Sequence, residues 1–383
     1  MEFYFSQIAE FIKEQYPNQD YIPLHAPVFN GNERKYVLDT IDSTFVSSVG
    51  TYVDKFEQMM CELTGAKFAV AIVNGTNALH LALLLAGVTS QDEVLGQSLT
   101  FIATYNALSY IGAQPVFIDI DADTLGLSPA ALEQFLQSNA EIRPDGYSYN
   151  KVTGRRIKAC VPMHTFGLPC RIDEIAKICE QWNVTLVEDA AESIGSYYKG
   201  IHTGIFGTIG TFSFNGNKTI TSGGGGALIT NDKDLAKKAK HLSTQAKVTH
   251  PWTFIHDEVG YNYRMPNLNA ALACAQLEQL NGFIENKREL ASLYQKKFEE
   301  LKIDFCHEIE GAKANYWLNA IVLKDKSERD SFLEYMNGIG VMTRPVWELM
   351  HKLPMFQHAQ RDAQTNSEWA ADRLVNIPSS VTP

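Results

Sequence analysis

The chain has 383 residues, of which 45% are hydrophobic and 20% charged, and its formal net charge is −11. That length suits one large and one small domain, with a core deep enough to frame a pocket. The acidic balance excludes nucleic acid as the main partner, because phosphate backbones select basic surfaces, but a helix N-terminus can still hold an anionic small molecule.

Residues 1–30 read as an arm with a short helix. They mix Glu, Lys and aromatics without the basic-then-apolar order of a signal peptide. The longest apolar stretch, 78–88, is too short to span a bilayer, so a cytoplasmic protein with no membrane partner is expected. The six cysteines include no CxxC pair, and no His or Cys set has metal-ligand spacing. Neither a disulfide framework nor a metal site is expected.

Between residues 67 and 231, short apolar runs alternate with helical patterns. The runs at 68–73, 115–120, 158–162, 185–188, 210–214 and 226–230 read as strands. Several are continuously apolar, as strands covered on both faces are. Segments 77–86, 129–138 and 171–182 read as helices. This alternation predicts an α/β fold with a mostly parallel sheet, whose ligands bind beyond the carboxyl ends of the strands. Residues 248–257, with Pro251, Trp252 and two histidines, read as a loop. A long helix at 267–301, a strand at 317–323 and a helix at 328–338 follow. The division is an arm at 1–30, a large domain at 31–250 and a smaller C-terminal α/β domain at 251–383.

Four features sit at strand ends or helix starts. Gly75 and Thr76 follow the strand at 68–73, where Gly75 permits a tight turn and Thr76 can cap a helix starting near Asn77. The free N–H groups there suit a phosphate dianion. Asp189 ends a buried strand, where a carboxylate needs a cationic partner such as a protonated pyridine nitrogen, and Ala191 leaves space for a flat ring. Lys218 lies between two strands beside Gly223–Gly226, with room for a carbonyl to approach its amine, and Ser213 can add a phosphate hydrogen bond. Phe101, at another strand end, can stack on the ring. Taken singly, each has a plain structural explanation: a capped helix, a capping Asp, a solvated lysine, a core Phe. Together they outline pyridoxal 5′-phosphate (PLP). There is no GxGxxG, P-loop or GxSxG pattern to suggest another cofactor or a hydrolase.

NGTNALHLAL (74–83), SLTFIATYNAL (98–108), PVFIDID (115–121), VPMHTFGLPCRIDEI (161–175), VEDAAESIGSYYKG (187–200), FSFNGNK (212–218), GYNYRM (260–265) and TRPVWELMHKLPMF (343–356) occur in this order. Over nearly its whole length the chain resembles the DegT-type PLP-dependent sugar aminotransferases, which have the fold-type-I aspartate aminotransferase architecture. The resemblance implies that Lys218 is the Schiff-base lysine and proton shuttle. Asp189 would pair with the pyridine nitrogen, Phe101 would stack on the ring, and Gly75, Thr76, Asn77 and Ser213 would hold the phosphate. Asn262 would reach the cofactor of a neighbouring subunit, making the site shared across a homodimer. His164, Arg264, Arg344 and His351 would line the sugar pocket. Glu192 stands where many members carry Gln or His against the cofactor O3′ oxygen, and there a carboxylate facing a phenolate repels unless one holds a proton. The glycine–glutamate pair common after the lysine is glycine only here (Gly223–Gly226).

FNGNKTITSGGGG and the aromatic N-terminal arm resemble the branch of legionaminic-acid biosynthesis. That branch implies amination of C4 of a UDP-linked 4-keto-6-deoxy-N-acetylhexosamine with L-glutamate as donor and 2-oxoglutarate as by-product, for surface glycans. A 3-keto sugar, or a dTDP- or GDP-linked one, is the alternative. Sugar 3-dehydration is disfavoured because dehydratases of the family carry His where Lys218 stands. The intact set of Lys218, Asp189 and Phe101 argues against a non-catalytic relative.

Overall fold

The computed structural model describes residues 2–383. Helices α1 (Glu2–Gln15), α2 (Glu33–Asp42) and α3 (Thr51–Thr64) come first. An alternating stretch follows: β1 (Phe68–Ile72), α4 (Gly75–Leu85), β2 (Asp92–Gln97), α5 (Ala103–Ile111), β3 (Gln114–Ile118), α6 (Pro129–Asn139), β4 (Arg156–Val161), α7 (Ile172–Gln181), β5 (Thr185–Asp189), β6 (Ile209–Ser213), β7 (Gly226–Thr230) and α8 (Lys233–Ser243). The long α9 (Asn267–Leu301) leads to β8 (Asp304–Phe305), β9 (Asn319–Val322), α10 (Lys326–Gly338), β10 (Arg344–Pro345), β11 (Gln360–Arg361), α11 (Thr365–Arg373) and β12 (Leu374–Ile377).

The main sheet runs β1-β7-β6-β5-β4-β2-β3-β11. Strands β6, β5, β4, β2, β3 and β11 are parallel, and β7 is antiparallel to both its neighbours. Every residue of β2 and β7 is buried, as a sheet covered on both faces requires. The expected α/β class with a mostly parallel sheet is observed. A second, antiparallel sheet runs β8-β9-β12-β10. Phe5, Ile8 and Ile12 of α1 share its core with Ile321, Phe332 and Met336.

Local chemistry sets the boundaries. Asn74 caps α4, its side chain accepting from the Asn77 N–H at 2.8 Å, so the helix starts at Gly75 and Thr76 is not the cap. Ser128 caps α6 with Pro129 in its first turn, and Asp325 caps α10, which therefore begins two residues before the expected 328. Strand β3 stops at Ile118 because the Asp119 carboxylate accepts from the Asn366 and Ser367 N–H groups. The strand expected at 317–323 begins only at Asn319. Tyr316 has φ +48° and the Trp317 N–H donates to Asn315 Oδ1, so the chain turns there. Within the expected loop at 248–257 lies one side of a small ribbon, Lys247–Val248 against Ile255–His256.

Candidate active site

Parallel strands release their side chains at their carboxyl ends, and there a cavity of about 360 Å³ opens. Gly75, Thr76, Phe101, Asp189, Ala191, Glu192, Ser213 and Lys218 all line it. The turn into α4 forms one end. A Cβ on Gly75 would lie 2.7 Å from Ser213 Cβ, and one on Gly226 would lie 2.5 Å from the Asn74 carbonyl. Only glycine lets these backbones close on each other, leaving the α4 N-terminus and the Ser213 side chain around a space suited to a phosphate.

Asp189 ends β5 and is 3% exposed. Its Oδ2 accepts from Thr104 Oγ1 at 2.7 Å and its Oδ1 from the Ala191 N–H at 3.2 Å. Burial raises its pKa, against the pull of these hydrogen bonds and of the Lys218 and His164 charges. A carboxylate held this way calls for one more cation. Lys218 sits on the loop after β6, its amide bonded to the Asn215 carbonyl at 3.0 Å. Its Nζ lies 3.3 Å from Glu192 Oε1 and 3.9 Å from the centroid of the Trp317 ring. Glu192 is buried, and its Oε2 accepts from the Phe166 N–H at 2.8 Å. Burial raises the Glu192 pKa as well, and neighbouring Asp189 adds to the rise while Lys218 opposes it.

A phosphate cradle, a buried carboxylate in want of a cation and a half-sheltered amine fit the phosphate, ring nitrogen and aldehyde of PLP. Phe101, 48% exposed, stands at the mouth with Trp347, ring centroids 6.3 Å apart.

Other expected site residues lie elsewhere. The Asn77 N–H is taken by Asn74, and Asn77 does not line the cavity. His164 is fully buried, with Nε2 3.1 Å from Glu188 Oε2 and Nδ1 3.6 Å from Cys170 Sγ. Burial works against its protonation, but Cys170 and Glu188 raise its pKa to about 10. Glu188 also accepts from the Gly204 and Gly207 N–H groups, so this cluster braces β5 from behind and His164 does not reach the cavity. His351 is bound to Ser98 Oγ at 2.8 Å and Glu368 at 3.1 Å, and burial lowers its pKa. Arg344 is exposed and bonds Asn337. None of these lines the cavity of the single chain, nor does Arg264, whose Nε is buried without a partner. Asn262 is exposed on the surface.

Sequence reasoning missed Thr104, Trp317, Trp347, Asn215 and Asn217, which hold Asp189 or line the cavity. Thr104 and Trp347 lie inside recognised motifs, but nothing in their spacing marks them as pointing inward. Trp317 was placed inside a strand, and the turn at Tyr316 takes it out.

The chain matches the DegT/DnrJ/EryC1/StrS aminotransferase family over residues 28–382. It belongs to that family. The GDP-perosamine synthase of Escherichia coli O157:H7 is 38% identical over 94% of both chains, and that of Vibrio cholerae is 37% identical over the same shares. Among solved structures, the aminotransferase TlmJ from Streptoalloteichus hindustanus superposes with a TM-score of 0.85 at 25% identity, covering 94% of this chain and 93% of that one. The protein is a PLP-dependent sugar aminotransferase of fold type I.

Proposed function

We propose that this aminotransferase moves an amino group from L-glutamate to the C4 keto group of a nucleotide-linked 6-deoxyhexose, and that Lys218 is the residue that carries the cofactor. The observation that carries this reading is the convergence of Lys218 Nζ, the buried Asp189 carboxylate and the Gly75–Ser213 cradle in one cavity. When bound, PLP supplies a carbonyl for the amino group and a ring that stabilises charge at the carbon losing a proton. Asp189 would pair with the ring nitrogen and keep it protonated. Lys218 would hold the cofactor and, as a free amine, would move the proton of the donor Cα. Phe101 would cover the ring, and Trp347 would offer an aromatic face to the apolar side of a sugar.

The sequence branch favours a UDP-linked N-acetyl sugar. The relatives of 36–38% identity named for a GDP-linked product support a GDP-linked sugar instead, and we place GDP first. We also propose a cytoplasmic homodimer. Trp252, Phe254 and Val259 are 79–80% exposed beside the exposed Asn262, and a second subunit would cover them while bringing Asn262 to its own cofactor. Among the described residues no helix is long and apolar enough to cross a membrane.

The test is incubation with glutamate and GDP-, UDP- and dTDP-linked 4-keto and 3-keto sugars, with products read by mass spectrometry. Amination of a GDP-linked 4-keto sugar is expected. Lys218→Ala should abolish turnover and the borohydride fixation of PLP. Full transamination by that variant would overturn the assignment of Lys218, and amination of only a 3-keto sugar would overturn that of C4.

A further inference from the structure

Lys287 is a lysine with no exposure at all, in the middle of α9. Both of its side-chain hydrogen bonds end on backbone carbonyls: that of Trp317, at 3.2 Å, and that of Ser379. Burial pulls its pKa down to about 7, so it can donate to both carbonyls with little of the cost of a buried charge. His25 is buried nearby, and burial followed by the charges of Lys287 and Lys218 pushes its pKa down.

A buried lysine joining a long helix to the end of a strand is ordinarily a structural tie. Here one of the two carbonyls belongs to the residue that handles the catalytic amine. Trp317 is 4% exposed and lines the cavity. Its Nε1 donates to the Asn217 carbonyl at 2.6 Å, anchoring the residue next to Lys218 in sequence. Its ring lies 3.9 Å from Lys218 Nζ. On its other side, the Trp317 N–H is held by Asn315, whose amide also bonds the Glu192 and Ile194 carbonyls. The backbone of Trp317 is thus gripped from two directions, by Asn315 and by Lys287, and its indole presents one edge to the Lys218 loop and one face to the Lys218 amine.

We propose that Lys287 is a positioning residue for Lys218. By fixing the Trp317 carbonyl it holds the indole as the seat on which the free Lys218 amine rests, between the ring face and Glu192. This rests on the reading of Lys218 as the cofactor-bearing residue. Such a seat matters each time Lys218 is displaced by the amino donor, because the freed amine must stay within reach of the carbon whose proton it moves. A cation on an aromatic face and beside a carboxylate is held without being locked.

The test uses cofactor-free enzyme, so it does not depend on turnover. Limiting acetic anhydride is applied, and acetylation of Lys218 is measured by peptide mass spectrometry against exposed Lys67 and Lys151. In Lys287→Met, labelling of Lys218 should rise about three- to tenfold, the range set by loss of one cation–π contact, with the reference lysines unchanged. Trp317→Leu should give a similar rise, and the double variant no more than Trp317→Leu alone, because both act through one contact. In the loaded enzyme, Lys287→Met should lower kcat while leaving KM for the keto sugar near wild type. If Lys287→Met does not fold, Lys287→Gln, which keeps a donor for one carbonyl, carries the same expectation in weaker form. Wild-type labelling of Lys218 in the folded Lys287 variant, or full additivity in the double variant, would overturn the proposal. Borohydride fixing PLP to a different lysine would instead overturn the reading of Lys218, so the two failures are distinguishable.

Discussion

Asp189→Asn separates a structural carboxylate from one placed for a cofactor. Asparagine has the same shape and can still accept from the Ala191 N–H. Its amide group must then face either Thr104 Oγ1, which now donates to Asp189 Oδ2 at 2.7 Å, or the cofactor ring nitrogen. In the second orientation donor opposes donor, and in both the charge is lost. A hydrogen bond to a charged group contributes roughly 1.5–3 kcal/mol, which corresponds to cofactor binding about 10- to 150-fold weaker. The loss in the half-reaction with glutamate should be larger, because the protonated ring nitrogen is also what stabilises charge at the reacting carbon. The cofactor-free variant should be no less stable than wild type, since burial already disfavours the ionised carboxylate there. The assay is a PLP titration of cofactor-free enzyme by visible absorbance, with thermal unfolding of the same samples. Binding within about twofold of wild type, with an unaltered half-reaction, would refute the pairing of Asp189 with the ring nitrogen, because a charged contact is worth more than that.

In Gly226→Ala the new methyl would lie 2.5 Å from the Asn74 carbonyl and 2.8 Å from the Gly75 nitrogen, all backbone, so the phosphate turn must shift. Overpacking of this kind costs about 1–3 kcal/mol, and dialysis should strip PLP from the variant while it stays folded; wild-type retention of PLP would contradict the cradle. Asp189 and Glu192 both have raised pKa values without cofactor, from ordinary values of 3.8 and 4.5. The stability they contribute is fully present below those ordinary values and is lost as pH rises through the raised ones. The Tm of cofactor-free enzyme should therefore fall with rising pH across the weakly acidic range, while that of loaded enzyme, with a cation opposite Asp189, should fall less. Parallel Tm curves would argue against that pairing. Glu192→Gln keeps an acceptor for the Phe166 N–H and should retain most activity but shift the pH titration of the visible band. An unshifted titration would show that Glu192 does not touch the cofactor's titrating system.

The sheet was legible because its strands are continuously apolar and end in turn-forming residues, as at Asn74-Gly75 after β1. The gathering of Gly75, Asp189, Ser213 and Lys218 in one cavity was legible for the same reason: they sit next to the carboxyl ends of strands, and sequence adjacency carries that geometry. Trp317 was not legible, since its position depends on a left-handed residue, Tyr316, on the hydrogen bond its N–H donates to Asn315 and on the one its carbonyl accepts from Lys287, groups close in space but partly remote in sequence. His164 and His351 lie in recognised motifs, but the ring nitrogens of both are already engaged within the chain. A histidine with both nitrogens occupied by Glu188 and Cys170, or by Ser98 and Glu368, has no donor left for a sugar. The cap on α4 was misassigned by two residues because Thr76 and Asn74 have equal capping chemistry, and only the extended backbone at Asn74 puts its oxygen over the Asn77 N–H.

The glutamate at position 192, a departure from the Gln or His of many relatives, becomes intelligible through its hydrogen bonds. Asp189 is held by a hydroxyl and an amide N–H, and the ring nitrogen of bound PLP would be a third donor. Glu192 is held by the Phe166 N–H and by Lys218. Lys218 is the partner that would also carry the cofactor. Two buried carboxylates lie at one site, and Asp189 adds to the rise in the Glu192 pKa. Asp189 accepts two hydrogen bonds that do not involve Lys218 and would face a cationic ring nitrogen, while one of the two hydrogen bonds of Glu192 comes from the lysine that would carry the cofactor. A proton held by one of the two acids would therefore favour Glu192, where a neutral carboxyl could donate to an oxygen of the cofactor as a glutamine would. The repulsion that the sequence suggested would then be relieved by the unequal hydrogen bonding of two acids placed three positions apart.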